Sequence, residues 1–161
     1  MKKLVVYYSY EGNTKFIGDS IAEKIDADVM QLKPKIEKRK KGFMKYIWGG
    51  RQIFMNKKPE LNQLDKNPED YDVIFIGTPV WAWTYTPAIN TFLSEVDLKN
   101  KKIALFTCHG GQNGKTFNKM KERLKENQLI GEIDFFEPLK RGKQENENKA
   151  KDWAFNVINK I

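Results

Sequence analysis

The run Ser9-Tyr10-Glu11-Gly12-Asn13-Thr14 sets hydroxyls and an amide side chain between an apolar stretch and a helix-like one. At such a junction free backbone N–H groups gather at a helix N-terminus, where the helix dipole favours an anion. Gly12 permits the tight turn that the junction needs. The combination suits a phosphate group. The plainer alternative is a helix cap made by Asn13 or Thr14. No lysine follows in the Walker pattern, and there is no G-x-G-x-x-G for a dinucleotide. A second run, Thr78-Pro79-Val80-Trp81-Ala82-Trp83-Thr84-Tyr85-Thr86-Pro87, crowds Trp81, Trp83 and Tyr85 together. Exposed aromatics give a flat surface for a ring system, and stacking adds about 0.5–1.5 kcal/mol beyond burial. At least one of the three is expected to pack beneath the loop instead.

A third run is Thr107-Cys108-His109-Gly110-Gly111-Gln112-Asn113-Gly114-Lys115-Thr116. Its glycines let the backbone approach a ligand closely and offer N–H and C=O groups to a polar ring edge. His109 is the only histidine of the chain. It can donate a proton or a hydrogen bond near a redox ring, or it can be a hydrogen-bonded loop residue with no chemical role. Cys108 reads as a small buried hydrophobe.

Each of these loops needs a strand before it and a helix after it. Leu4–Tyr8, Val73–Ile76 and Ile103–Phe106 are continuous apolar runs, as strands buried on both faces require. Val29–Leu32 and Ile133–Phe136 are weaker runs of the same kind. Between them lie stripes at helical spacing: Ile17, Ile21 and Ile25; Ala88, Ile89, Phe92, Leu93 and Val96; Phe117, Met120 and Leu124; and Ala150, Trp153, Ala154, Val157, Ile158 and Ile161. Pro87 suits a first helical turn. Alternating elements of this kind predict a doubly wound α/β sheet with right-handed crossovers. Such a sheet binds ligands beyond the carboxyl ends of its strands, where the three loops fall.

The 161 residues suit one domain, 1–161, with no internal repeat. No apolar run is long enough to span a membrane. The apolar run Leu4–Tyr8 is too short for a signal-peptide core and no small-residue cleavage site follows it. Cys108 alone rules out an internal disulfide and a multi-cysteine zinc site, which points to a reduced, cytoplasmic protein. The net charge of +8 is unevenly spread: residues 33–58 carry ten Lys or Arg against Glu37, a net +9, leaving −1 elsewhere. That connection, 34–60, also holds Phe43, Tyr46, Trp48 and Phe54 among its lysines. It is expected to contain a crossover helix, which Gly49 and Gly50 would interrupt. Lys38, Arg39, Lys40, Lys41, Lys45 and Arg51 could steer an acidic redox partner. No nucleic-acid motif accompanies the charge. The strand ends lack the aspartates of a response regulator, the C-x₅-R of a cysteine phosphatase and the G-x-S-x-G of a hydrolase.

Through YYSYEGNTKFIGDSIAEKI, IFIGTPVWAWTYTPAINTFL and IALFTCHGGQNGKT the chain resembles the flavodoxin family nearly end to end. The short final connection resembles that of its short-chain members. The resemblance implies a flavodoxin-like three-layer sandwich around a five-stranded parallel sheet of order 2-1-3-4-5, with one FMN. The phosphate would lie on Ser9, Glu11, Gly12, Asn13 and Thr14. The ring would lie between the other loops, among Thr78, Pro79, Val80, Trp81, Ala82, Trp83, Tyr85, Thr107, Cys108, His109, Gly110, Gly111 and Gly114. The implied role is an electron shuttle between partner proteins, as a monomer or dimer. The alternative is an NAD(P)H-dependent quinone or flavin reductase, because HGGQ is similar to a loop of such enzymes. A protein that has lost its flavin is a third reading, against which the intact first loop argues. In three respects the chain departs from typical flavodoxins: it is basic, its two ring loops contain no acid, and Ala82 stands where glycine is common. A left-handed backbone there costs a non-glycine residue about 1–2 kcal/mol.

Overall fold

In the computed structural model residues 1–37, 44, 47, 50, 51 and 58–161 are described. The strands are β1 (Lys3–Tyr7), β2 (Asp28–Gln31), β3 (Val73–Pro79), β4 (Lys102–His109) and β5 (Gln128–Phe136). The α-helices with defined bounds are α1 (Asn13–Ile25), α2 (Pro87–Glu95), α3 (Thr116–Arg123) and α4 (Lys143–Ile158), and a short 3-10 helix spans Pro68–Asp70. The five strands pair in the order β2-β1-β3-β4-β5, all in parallel, as expected.

Strand periodicity explains the three layers. Successive side chains on a strand point to opposite faces. Leu4, Val6, Ile74, Ile76, Ile103 and Leu105 therefore face one way, against Ala88, Ile89 and Phe92 of α2 and Met120 of α3. Val5, Tyr7, Val73, Phe75, Ala104 and Phe106 face the other way, against Ile17, Ile21 and Ile25 of α1 and Ala150, Ala154 and Val157 of α4. Each continuous apolar run thus serves two cores. β5 is longer than its apolar stretch predicts and is mostly half-exposed, because it forms the sheet edge.

The long basic connection leaves and returns through a narrow neck. Pro34 and Leu61 form an antiparallel bridge. Lys35 N–H donates to Glu60 O at 2.8 Å, and Asn62 N–H donates to Lys33 O at 2.8 Å. Met44, Ile47, Gly50 and Arg51 are helical. The expectations for Lys38, Arg39, Lys40, Lys41, Lys45, Phe43, Tyr46, Trp48, Gly49 and Phe54 lie outside the described residues; Arg51 is exposed. No helix among the described residues is long and apolar enough to cross a membrane.

Candidate functional site

The loops after β1, β3 and β4 meet around a cavity of about 460 Å³ at the carboxyl edge of the sheet. β1 contributes Ser9, Tyr10, Glu11, Asn13 and Thr14; β3 contributes Pro79 to Trp83; β4 contributes Cys108 to Gln112. The strand order turns back between β1 and β3, so the cavity sits at the topological switch point.

The first loop is built to receive a polar group rather than to satisfy itself. Gly12 sits at the N-cap of α1 with φ +98, a conformation that favours glycine, and no side chain caps the helix. The alternative reading, a cap by Asn13 or Thr14, is not what forms. Asn13 Oδ1 accepts from Leu139 N–H at 3.1 Å instead. Ser9 Oγ and Thr14 Oγ1 are buried, and among the described residues neither has an oxygen or nitrogen partner. The Thr14 hydroxyl meets the Cys108 sulfur, a weak acceptor that cannot replace an oxygen partner. Leaving buried hydroxyls unpaired costs about 1–3 kcal/mol each. An anion at the α1 N-terminus would offset that cost and meet the favourable end of the helix dipole.

The second loop is a tight hairpin. Trp81 N–H donates to Thr84 O at 2.9 Å and Thr84 N–H returns to Trp81 O at 3.1 Å. Ala82 and Trp83, the two central residues, have φ +47 and +60. Two left-handed positions are the mark of a type I′ turn, which normally takes Asn-Gly. Ala82 thus already holds the conformation whose cost the sequence raised. Trp81 stands edge-on against Tyr8 and Tyr10, with ring centroids 5.8 and 5.5 Å away. It is the aromatic that packs beneath the loop, together with Tyr85. Trp83 is 66% exposed at the rim. Its carbonyl accepts from Lys115 N–H at 3.1 Å. A Cβ on Gly114 would lie 2.5 Å from Trp83 Cβ, so glycine there lets the second and third loops close on each other.

In the third loop Cys108 is buried, and burial pushes its thiol up to about 12. His109 Nε2 lies 2.8 Å from Asp134 Oδ2, and its ring packs on Phe136 at 5.8 Å. His109 Nδ1 is buried with no partner. Gly111 faces open space.

Of the residues singled out in the sequence, Thr78, Tyr85, Thr107, Gly114 and Gly12 do not line the cavity. Thr78 Oγ1 accepts from Thr86 N–H at 3.2 Å, and Thr107 Oγ1 donates to Asn113 Oδ1 at 2.7 Å; both are buried loop supports. Tyr85 OH accepts from Arg123 at 3.4 Å on the α3 side. Tyr10, Gln112, Gly50, Glu137 and Lys140 line it without having been singled out. Glu137 and Lys140 follow β5. The register pairs His109 with Phe136, so the residues after β5 arrive beside the third loop. The picture of a ring site without acids is therefore incomplete, since Asp134 holds His109 and Glu137 lines the wall. Arg141 first, and Lys140 second, hold the Glu137 carboxyl below its usual range.

The flavodoxin family profile matches residues 2–161, and the chain belongs to that family. The fold resembles a flavoprotein of Lactobacillus acidophilus solved in complex with FMN, at 28% identity and a TM-score of 0.71, over 89% of this chain and 99% of that one. It also resembles oxidised Flavodoxin 2 of Bacillus cereus, at 18% identity and a TM-score of 0.60, over 100% of both. A flavone reductase shares the fold at 14% identity and a TM-score of 0.61, over 98% of this chain and 62% of that one. No curated protein sequence matches the chain.

Proposed function

We propose that this chain is a single-domain FMN-binding electron carrier, a flavodoxin that shuttles electrons between redox partners. The observation that carries the reading is the uncapped N-terminus of α1 with two buried hydroxyls lacking an oxygen or nitrogen partner, Ser9 Oγ and Thr14 Oγ1, at one end of a cavity whose other end is aromatic and glycine-rich. That is a donor set for a phosphate joined to a wall for a flat ring. Ser9, Glu11, Gly12, Asn13 and Thr14 would hold the phosphate. Pro79, Val80, Trp81, Ala82 and Trp83 would hold one side of the ring, and Cys108, His109, Gly110 and Gly111 the other. Thr78, Tyr85, Thr107 and Gly114 would support these loops from behind. FMN supplies the electron chemistry, and the protein positions it and excludes water. The positive charge of residues 33–58, including exposed Arg51, would attract an acidic partner. The reading places the carrier in a reducing cytoplasm, where a lone buried thiol such as Cys108 persists.

A second reading, an NAD(P)H-dependent quinone or flavin reductase, is favoured by the ordered His109–Asp134 pair at the ring end of the cavity. An anaerobic experiment separates the two. FMN-loaded protein is mixed with NADH or NADPH while the flavin band is followed. A carrier stays yellow until a separate reductase is added; a reductase bleaches without one. Failure to retain FMN on gel filtration removes both readings.

A further inference from the structure

We propose that His109 and Asp134 form a proton-binding pair linked to the redox state of the cofactor. His109 Nδ1 takes up one proton as the cofactor gains two electrons, and Asp134 is the positioning residue that fixes the ring for it. The inference rests on the FMN reading above. A carboxylate only accepts, so the 2.8 Å contact with Asp134 Oδ2 places the hydrogen of a neutral imidazole on Nε2. Nδ1 is then a bare acceptor, buried and without a partner, on a side chain only 9% exposed. The ring is clamped between that contact and Phe136, and His109 forms part of the cavity wall. Turning the ring to satisfy Nδ1 would break the bond to Asp134.

The charges around it come from every side. Asp134 lies on β5, and Lys149 of α4 donates to its backbone carbonyl at 3.1 Å. Glu137, in the loop after β5, donates its N–H to His109 O at 2.9 Å. Arg141 covers the far neighbour, Phe136, at 4.4 Å. The Glu137 carboxylate, paired with Arg141 and Lys140, also lines the cavity, as do Lys140 and Glu11. The cation is thus held by one carboxylate, and its balance is set by what enters the cavity. A negative charge nearby favours the protonated imidazole, and its absence favours the neutral one. Flavin bound there would gain one negative charge if an external reductant supplied two electrons and solvent one proton. A solvent proton then forms the Nδ1–H bond, no protein bond breaks, and the cavity keeps its charge. Nδ1 therefore holds its proton more tightly when the cofactor is reduced. Uptake is confined to the pH range between the oxidised-state and reduced-state midpoints of that protonation.

The chain has one histidine, so its imidazole resonance needs no assignment. Untagged, FMN-loaded protein is titrated by NMR from about pH 5.5 to 9, around the ordinary value of ~6.5, once oxidised and once fully reduced with dithionite. The expected result is at least about a tenfold higher proton affinity in the reduced protein, about one pH unit. Asp134→Asn should lower the value in both states while FMN stays bound. The same pKa in both oxidation states overturns the proposal, as does an unmoved value in Asp134→Asn. A wild-type chain that holds no FMN overturns this and the underlying reading together; FMN bound with an unmoved histidine overturns this alone.

Discussion

Asn13 Oδ1 accepts the backbone N–H of Leu139 at 3.1 Å, joining the loop after β1 to the loop after β5 across 126 positions. The Leu139 side chain closes the same seam, 3.5 Å from where a Cβ on Gly12 would stand. The phosphate end of the cavity is therefore a two-loop structure. Asn13→Ala should lower stability by about 0.5–1.5 kcal/mol, the ordinary worth of one hydrogen bond. FMN affinity should fall several-fold with it. Asn13→Asp keeps the acceptor and should retain stability while still weakening FMN, because it adds a negative charge beside the phosphate. Thermal melts and quenching of flavin fluorescence read the two quantities separately.

Thr14→Val gives the opposite separation. The Thr14 hydroxyl is buried with only the Cys108 sulfur as a weak partner, so replacing it with a methyl of similar shape should change the stability of the cofactor-free protein by less than about 1 kcal/mol. FMN affinity should fall at least about tenfold, the loss of a charge-assisted hydrogen bond of roughly 1.5–3 kcal/mol. Riboflavin, which lacks the phosphate, should bind both proteins alike. Equal losses for the two ligands would place Thr14 away from the phosphate.

Strain in the Ala82–Trp83 turn is measurable without any ligand. Ala82 has φ +47, and relieving a left-handed alanine returns about 1–2 kcal/mol. Glycine adds freedom to the unfolded chain worth about 0.4–1 kcal/mol. Ala82→Gly should therefore raise the stability of the cofactor-free protein by up to about 1.6 kcal/mol in urea unfolding. A loss of stability would mean that the alanine methyl contributes packing that outweighs the strain.

Alkaline pH should destabilise the fold through two buried acids, Cys108 and Tyr7. Burial raises the Cys108 thiol to about 12. The Tyr7 phenol is raised as well, by burial and by its 2.7 Å bond to Asp19. Both groups keep their protons in the folded state where the unfolded chain loses them. Their contribution is full below the unfolded values and is lost as pH rises from about 9 towards 12 for the thiol. Urea midpoints should fall across that range. At pH 8 iodoacetamide should leave native Cys108 unmodified and alkylate it once urea unfolds the chain, a difference that mass spectrometry resolves.

Much of this molecule was decided locally, and its sequence alone was enough to read it. Leu4–Tyr8, Val73–Ile76 and Ile103–Phe106 are apolar at every position because each strand must supply two cores, and that alone marks a covered parallel sheet. The helix stripes followed from their spacing, and the loops at the ends of β1, β3 and β4 from the strands before them. What the sequence could not contain is the outcome of packing between distant segments. The pairing of His109 with Phe136 on neighbouring strands brings Asp134, Glu137 and Lys140 to the cavity. Nothing in the spacing of those residues announces this, because register is set by the side chains of the whole sheet. The Asn13–Leu139 bond is hidden for the same reason. Trp81 and Trp83 are alike in the sequence; only the turn at Ala82 sends one beneath the loop against Tyr8 and Tyr10 and the other to the rim.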